Sequence, residues 1–228
     1  MNPRLLQGLA LLATVACTRA APVATATVVV DDAGDSVAVR VPAHRVVSLI
    51  PATTELLFAI GAGGDVVGRS TWCDYPAAAA RVPNLGDGIN PNVEAILAAR
   101  PDLVVLYNSV QHAAVSARLR GLGIPTLRMN TDRLADVDRI GRLLGRLTGR
   151  SGSADSLAAA FDSALASATV TPREGHRPTV LLLVWEQPPM TIGRGSFLNE
   201  LVERAGGANL FADVVTSAKR LALSLIHI

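Results

Sequence analysis

This sequence has few aromatic residues, few cysteines and a small net charge. Phe, Trp and Tyr make up 4% of the 228 residues, and the two cysteines are Cys17 and Cys73. Two cysteines do not make a disulfide framework. The formal net charge of +2, without a basic stripe, gives no sign of a nucleic-acid partner. With 50% hydrophobic and 18% charged residues, the chain is predicted to be globular, with one large domain or two small ones.

The common motifs of enzymes are also missing. There is no phosphate-loop lysine motif, no Gly-x-Ser-x-Gly elbow and no paired carboxylates. The glycines at 61–64 follow a predicted helix and precede a strand, which makes them a helix C-cap rather than a dinucleotide-binding loop. His44, His112 and His176 are isolated, as surface or cap histidines are. We therefore expect a protein that is not an enzyme, without catalytic residues, a metal site or a cofactor.

Residues 1–20 have the features of an export signal. Arg4 precedes an apolar stretch at 5–15 that is too short to span a bilayer. The sequence at 14–17, Thr-Val-Ala-Cys, resembles the lipobox of bacterial lipoproteins, in which the signal peptide is cut before the cysteine and lipid is attached. The resemblance predicts a lipidated Cys17 and a membrane anchor. Secretory cleavage after Ala20 is the alternative, and in either case the chain is exported.

The next segments predict a hairpin and then an α/β lobe. Residues 21–43 are predicted to form a tether and a small hairpin, with strands at 26–30 and 36–41 around an acidic turn. From 44 to 150 the order is strand, turn, helix, repeated. Strands are predicted at 46–50, 66–68, 103–107 and 126–129, and helices at 54–60, 93–99, 112–122 and 136–147. Short apolar strands alternating with helices indicate a mostly parallel sheet.

Residues 151–177 contain one long predicted helix, at 151–170, and a linker. The segment at 178–228 repeats the order of the first lobe, with a strand at 179–185, a Pro- and Gly-rich loop at 186–196 and a helix at 197–204. The sequence therefore predicts two Rossmann-like α/β lobes joined by a single helix. Because the second segment is much the shorter, we expect an incomplete second lobe. One reverse translation of the hexapeptide at 223–228, LSLIHI, matches a transposon end used to prepare sequencing libraries. We therefore expect this hexapeptide to be read-through into adapter and to carry no function.

Both tryptophans and both tyrosines lie at or just beyond predicted strand ends. Trp72 and Tyr75 follow the second strand, Tyr107 ends the third, and Trp185 ends the first strand of the second lobe. Open α/β sheets bind ligands at the carboxyl ends of their strands. In a sequence with so few aromatic residues, this placement favours a flat or bulky apolar ligand. The alternative is that these rings cap the hydrophobic cores.

Four segments in sequential order resemble one family: RVVSLIPATTELLFAIGAGGDVVG, CDYP, NPNVEAILAARPDLVV and GSFLNELVERAGGANLF. They are similar to the substrate-binding proteins of bacterial ABC importers for cobalamin and iron complexes, and most of all to the cobalamin-binding branch. The resemblance implies two α/β lobes bridged by one long helix, with the transported ligand in the cleft between them. It also implies a monomer in the periplasm or on the outer face of the cell membrane, with permease subunits as partners.

The resemblance and the placement of the aromatic residues together predict the site. The ligand is expected to contact residues on the loops that follow the strands, namely Pro51, Ala52, Thr53, Trp72, Tyr75, Tyr107 and Trp185. Trp185 would face the others from the second lobe. Glu94 matches a surface glutamate with which the family docks onto arginines of the permease. The second docking glutamate is expected in the missing part of the second lobe.

Two alternatives stay open at this point. A ferric siderophore or haem would suit the same fold, but a siderophore pocket needs basic residues facing the anionic complex. Among the cleft loops only Arg69 and Arg194 offer that charge, so cobalamin is favoured. An exported enzyme or cofactor-assembly protein on a two-lobe fold would need clustered cysteines or an acid–base pair in the cleft. Cys73 alone supplies neither.

Overall fold

The structure is a computed structural model that describes residues 25–171 and 177–221. The predicted lipidation site at Cys17, the export signal and the C-terminal hexapeptide lie outside the described residues. Over the two described ranges, no helix combines the length and the apolar character needed to cross a membrane.

An antiparallel hairpin comes first. Its strands are β1 (Thr25–Val30) and β2 (Ser36–Val41), so the hairpin expected within 21–43 is present. The carboxylate of Asp31 stabilises the turn, because it accepts a hydrogen bond from the backbone N–H of Asp35 at 2.9 Å. The same carboxylate accepts the guanidinium of Arg120 at 2.5 Å. This ion pair fastens the hairpin turn to the α/β unit that follows.

A four-stranded parallel sheet forms the centre of that unit. The strands are β3 (Val46–Ser48), β4 (Val66–Arg69), β5 (Leu103–Tyr107) and β6 (Thr126–Met129), in the spatial order β4–β3–β5–β6. The helices between and after them are α1 (Pro51–Ala59), α2 (Val93–Ala98), α3 (Val110–Gly121) and α4 (Ala135–Thr148). From β3 the chain first adds β4 on one side of the strand and then β5 and β6 on the other side. This change of direction places a ligand-binding crevice at the carboxyl ends of β3 and β5.

Both faces of the sheet are covered by hydrophobic side chains. On β5, Leu103 and Val105 face one core cluster, which contains side chains from α1 and α4, while Val104 and Leu106 face a second cluster with side chains from α2 and α3. All four side chains are completely buried. This two-sided burial explains why β5 is a continuous apolar run rather than an alternating one.

Helix α1 begins at Pro51, so the predicted start at residue 54 is wrong. The N-cap is Ile50, with extended backbone angles, and Pro51 is the first helical residue. Proline suits this position because its φ angle is already helical and its missing N–H would have no partner there. Glu55 therefore lies beyond the first turn. Burial, with a smaller contribution from the charge of Asp74, raises the pKa of the Glu55 carboxyl.

Helix α5 (Ser151–Ala168) follows α4 after a left-handed glycine, Gly149, with φ of 71°. The two helices pack closely where Gly145 meets Ala154. The long helix predicted at 151–170 is thus present.

The second part of the chain is built from short elements. They are β7 (Thr179–Val180), β8 (Leu183–Glu186), β9 (Pro189–Ile192), α6 (Phe197–Arg204), β10 (Ala208–Asn209) and β11 (Ala218–Arg220). Strand β7 pairs in parallel with β10, whereas β9 lies antiparallel between β8 and β11. The predicted strand at 179–185 is therefore two strands, and the predicted loop at 186–196 contains β9. The turn between Glu186 and Pro189 joins β8 and β9 into a hairpin. The hairpin is not predicted from the sequence because the prolines in this segment argue against a strand.

Candidate functional site

A pocket with a volume of about 470 Å³ lies at the carboxyl ends of β3 and β5. Its walls are mainly apolar. The side chains that shape it come from three strand-to-helix connections, β3–α1, β4–α2 and β5–α3, and are Leu49, Pro51, Trp72, Ile89, Tyr107, Gln111 and His112. Three of the predicted site residues, Pro51, Trp72 and Tyr107, are therefore brought together although they lie far apart in the sequence. Trp72 has 61% of its surface exposed. A large exposed aromatic ring beside an apolar pocket is a typical feature of a binding surface.

Two of the other predicted residues point elsewhere. Ala52 lines a small recess on another side of α1, together with Leu56 and Ile140. Thr53 is completely buried, and its hydroxyl lies 2.7 Å from the Ser48 hydroxyl and 3.0 Å from the Ile50 carbonyl oxygen. The side chain of Thr53 therefore supports the turn between β3 and α1 rather than lining the pocket.

Tyr75 and Trp185 are exposed, at 66% and 58%, and neither lines the pocket. Trp185 lies on β8, beside a separate groove formed by residues 183–187. Its indole N–H donates to the Gln187 carbonyl oxygen at 3.0 Å. The structure thus does not bring Trp185 to the same pocket as Trp72.

The phenol of Tyr107 is held at the edge of the pocket by Asp132. Its hydroxyl lies 2.9 Å from both carboxylate oxygens. Burial and the hydrogen bond to Asp132 raise the pKa of Tyr107 to about 12. Tyr107 therefore presents a neutral ring to the pocket at physiological pH.

His112 is a pocket residue that the sequence does not reveal. It is 4% exposed, in the first turn of α3, and the hydroxyl of the N-cap Ser109 accepts its backbone N–H at 3.3 Å. Its ring lies between the carbonyl oxygens of Tyr107, 2.8 Å from Nδ1, and Gly88, 2.7 Å from Nε2. The only sequence cue is its place just after a strand end, which was insufficient to distinguish it from a cap histidine.

Arg69 does not face the pocket as a free basic group. Its guanidinium donates to the carbonyl oxygens of Ser70 at 2.9 Å, and of Ala80 and Val82 at 3.1 Å each. These bonds hold the segment that carries Trp72. Cys73 lies in the same segment, is 1% exposed, and packs with its sulfur 3.1 Å from the Ser70 hydroxyl.

Glu94 lies in the first turn of α2, with 74% of its side chain exposed. Its carboxylate forms an ion pair with Arg118 at 3.0 Å. The backbone at the start of the helix, and then Arg118, lower the pKa of the Glu94 carboxyl. Glu94 is therefore an ionised surface group, as a docking residue would need to be.

A wider groove of about 630 Å³ lies between α4, α5 and α6. Its lining combines the apolar side chains of Phe161 and Leu165 with charged ones, namely Asp138, Asp162, Glu200, Glu203 and Arg204. Its lining comes from α4, α5 and α6 and the residues beside them, and includes none from the carboxyl ends of β3 and β5. Ligands of open α/β sheets bind at those strand ends, which makes the smaller pocket the candidate site.

Comparison with known proteins identifies the family. The family model described as periplasmic binding protein matches residues 46–224. The chain belongs to the periplasmic binding protein family. An ABC transporter substrate-binding lipoprotein of Bacillus subtilis, YvrC, is 30% identical over 194 residues, 82% of this chain and 62% of the relative. A vitamin B12-binding protein of Vibrio cholerae is 27% identical over 172 residues, 75% of this chain and 62% of the relative.

Solved structures agree with this assignment. The periplasmic haem-binding protein RhuT of Roseiflexus sp. RS-1 superimposes with a TM-score of 0.70 at 26% identity, over 80% of this chain and 72% of the neighbour. The predicted two-lobe α/β fold class is confirmed by such neighbours. The chain spans 62% of the length of each of the two curated relatives. By their names both relatives are binding proteins, one a substrate-binding lipoprotein of an ABC transporter and the other a binder of vitamin B12.

Proposed function

We propose that this chain captures a corrinoid such as cobalamin for an ABC importer, in the pocket at the carboxyl ends of β3 and β5. The observation that carries the proposal is the exposed ring of Trp72 beside apolar walls from Pro51, Ile89 and Tyr107. Aromatic and aliphatic surfaces of this kind suit a large macrocycle, which gains most from the burial of apolar area. The likeness to a vitamin B12-binding protein supports the same ligand.

Haem is the second candidate, because a haem-binding protein shares the fold at 26% identity. Haem iron in proteins is held by an axial His, Tyr, Cys or Met side chain. In this pocket the raised pKa of Tyr107 disfavours the phenolate that would bind ferric iron. The ring nitrogens of His112 both contact backbone carbonyl oxygens. Neither side chain is arranged to ligate iron, whereas a corrinoid carries its own axial ligands, which favours the corrinoid.

Delivery to the importer would use the exposed surface of α2. In this proposal Glu94 docks onto basic residues of the permease, and lipidated Cys17 keeps the monomeric protein on the outer face of the membrane. Membrane fractionation of the wild type and Cys17→Ser tests the anchor. Loss of membrane association in the variant is expected, and retention would contradict lipidation.

Isothermal titration calorimetry with cyanocobalamin, haemin and a ferric siderophore tests the ligand. Cyanocobalamin is expected to bind with one-to-one stoichiometry, and Trp72→Ala is expected to weaken it about tenfold or more, as for buried aromatic contacts. Trp185→Ala, which removes an exposed tryptophan outside the pocket, is the matched variant. A loss of affinity in Trp185→Ala alone would move the site to β8. Saturation by haemin alone would replace the proposed ligand.

A further inference from the structure

Within residues 25–171 and 177–221, the ring nitrogens of His112 contact two hydrogen-bond acceptors and no donor. Nδ1 is 2.8 Å from the carbonyl oxygen of Tyr107, at the end of β5. Nε2 is 2.7 Å from the carbonyl oxygen of Gly88, on the loop between β4 and α2. Both distances are those of good hydrogen bonds. The side chain thus connects two separate loops of the pocket wall.

The protonation state of the ring decides whether both contacts are favourable. A carbonyl oxygen only accepts, and a neutral imidazole carries one N–H and one lone pair. In the neutral ring, one nitrogen would therefore direct its lone pair at a carbonyl oxygen. The imidazolium ion has two N–H groups and satisfies both carbonyls. Because His112 is only 4% exposed, water has little access to replace the missing bond.

Gly88 transmits this contact to the pocket. A Cβ atom added to Gly88 would lie 2.9 Å from the Leu49 carbonyl oxygen, so the loop packs directly against the end of β3. The next residue, Ile89, is 61% exposed and forms part of the apolar wall. The carboxylate of Asp87 orders the same turn by accepting the amide N–H groups of Ile89 and Asn90. Releasing the Gly88 carbonyl would free the wall that Ile89 contributes.

We propose that protonated His112 is a positioning residue, which fastens the Gly88–Ile89 wall to the end of β5. Ligand affinity then falls when the imidazolium loses one of its two ring N–H protons. The inference rests on the proposed function, since it assumes that the ligand occupies this pocket. Affinity is then expected to decrease as the pH rises and the imidazolium becomes neutral.

The groups around the ring are mostly uncharged. On the Gly88 loop, Asp87 is ionised, because the amide bonds to Asn90 and Ile89 and the charge of His112 lower the pKa of its carboxyl. This carboxylate favours the imidazolium, whereas the start of α3 opposes it through the helix dipole. The Tyr107 phenol is bonded to Asp132. The Cys73 thiol contacts Ser70 and the Ser48 carbonyl, and the β3–α1 turn contributes apolar side chains.

Two measurements on the whole chain test the proposal. The first follows cyanocobalamin affinity by calorimetry from about pH 5.5 to pH 8, the range in which histidine titrates. The wild type is expected to bind about tenfold more weakly at the upper end, as expected for loss of a charge-assisted bond. His112→Gln, which cannot gain a proton, is expected to lose this pH dependence. His44→Gln is the matched control, because His44 is an exposed histidine paired with Asp65, and it is expected to keep the wild-type profile.

The second measurement needs no ligand and no variant. Nitrogen-15 NMR of the His112 ring is expected to show both nitrogens protonated at the acidic end, and amide exchange protection at Gly88 to Asn90 to fall as the second proton leaves. A ring with a single N–H across the range, with unchanged protection, would overturn the proposal. Absence of cyanocobalamin binding at every pH would instead refute the corrinoid assignment, and the NMR result would still decide the role of His112.

Discussion

The hydroxyl of Tyr107 lies 2.9 Å from each carboxylate oxygen of Asp132, so its single O–H is shared between the two oxygens. A phenol in this position can donate only while it is protonated. The pair therefore fixes the orientation of the Tyr107 ring at the pocket edge and keeps the ring neutral. The consequence is measurable, because the chain contains only two tyrosines, Tyr75 and Tyr107.

Alkaline titration should reveal the Tyr107–Asp132 pair. Burial and Asp132 raise the pKa of Tyr107 to about 12. A raised pKa in the folded state means that the interaction stabilises the fold fully below about pH 10, the ordinary value, and is lost towards pH 12. Absorbance at the phenolate wavelength should show a transition near the upper value. It should vanish in Tyr107→Phe and persist in Tyr75→Phe, and its persistence in Tyr107→Phe would contradict the assignment.

The main sheet could be predicted because its strands are continuous apolar runs. Strands β5 and β6 have the bounds that the sequence predicts, 103–107 and 126–129. A strand that is buried on both faces has hydrophobic residues at nearly every position, so it can be recognised in the sequence. The site followed in part for the same reason. Trp72 and Tyr107 reach one pocket because the carboxyl ends of neighbouring parallel strands meet at one edge.

The features that escaped prediction depend on contacts between distant segments. The role of His112 requires the carbonyl of Gly88, which is brought to it only by the folded loop. The sequence predicts that Thr53 contacts the ligand, but its hydroxyl contacts the Ser48 hydroxyl and the Ile50 carbonyl oxygen inside the turn. Strand β9 begins at Pro189, a residue type that argues against strands. Local patterns carry none of this information.

Helices α4 and α5 should tolerate a methyl group at one glycine of α4 and not at another. A Cβ atom at Gly145 would lie 2.5 Å from the Ala154 Cβ and 3.2 Å from the Arg150 carbonyl oxygen. Gly145→Ala should therefore lower the free energy of unfolding by about 1–3 kcal/mol. At Gly141 the nearest atom is Leu56 Cδ2, at 3.7 Å. Gly141→Ala should be neutral or stabilising by up to about 1 kcal/mol, because alanine favours the helix.

Urea unfolding of the two alanine variants beside the wild type measures this difference. Equal destabilisation at Gly145 and Gly141 would show that the α4–α5 contact is less close than the structure has it. The comparison isolates packing, since both substitutions add the same methyl group to the same helix.

The hairpin turn should depend strongly on one acidic residue. The Asp31 side chain is fully buried and accepts the Arg120 guanidinium at 2.5 Å and the Arg128 amide at 3.1 Å. Asp31→Ala leaves the amide N–H groups of Arg128 and Asp35 without this acceptor, whereas Arg120 keeps the Asp35 carboxylate and the Thr126 carbonyl oxygen. The lost acceptor should cost about 1–3 kcal/mol of stability. Asp162→Ala, at an exposed position on α5, is the control and should unfold like the wild type. A loss of under about 1 kcal/mol in Asp31→Ala, the level of a surface pair, would contradict the role of Asp31.

Glu94 offers a test of docking that is separate from ligand binding. Its carboxylate is exposed and paired with Arg118 at 3.0 Å, and its lowered pKa keeps it ionised well below neutral pH. If the charge serves the permease, Glu94→Gln should weaken the complex with the permease about tenfold or more, as for a charge pair buried at an interface. Cyanocobalamin affinity and the melting temperature should stay unchanged, because the residue lies outside the pocket and its partner is at the surface.

Arg118→Ala decides between docking and a local ion pair. This variant removes the partner but leaves the Glu94 carboxylate, so permease binding should be retained or should improve as the carboxylate becomes free. Surface plasmon resonance with the detergent-solubilised permease complex measures the affinity of all three proteins. Equal losses in Glu94→Gln and Arg118→Ala would mean that the pair only supports the surface of α2 and α3. Unchanged binding in Glu94→Gln would exclude it as the docking residue.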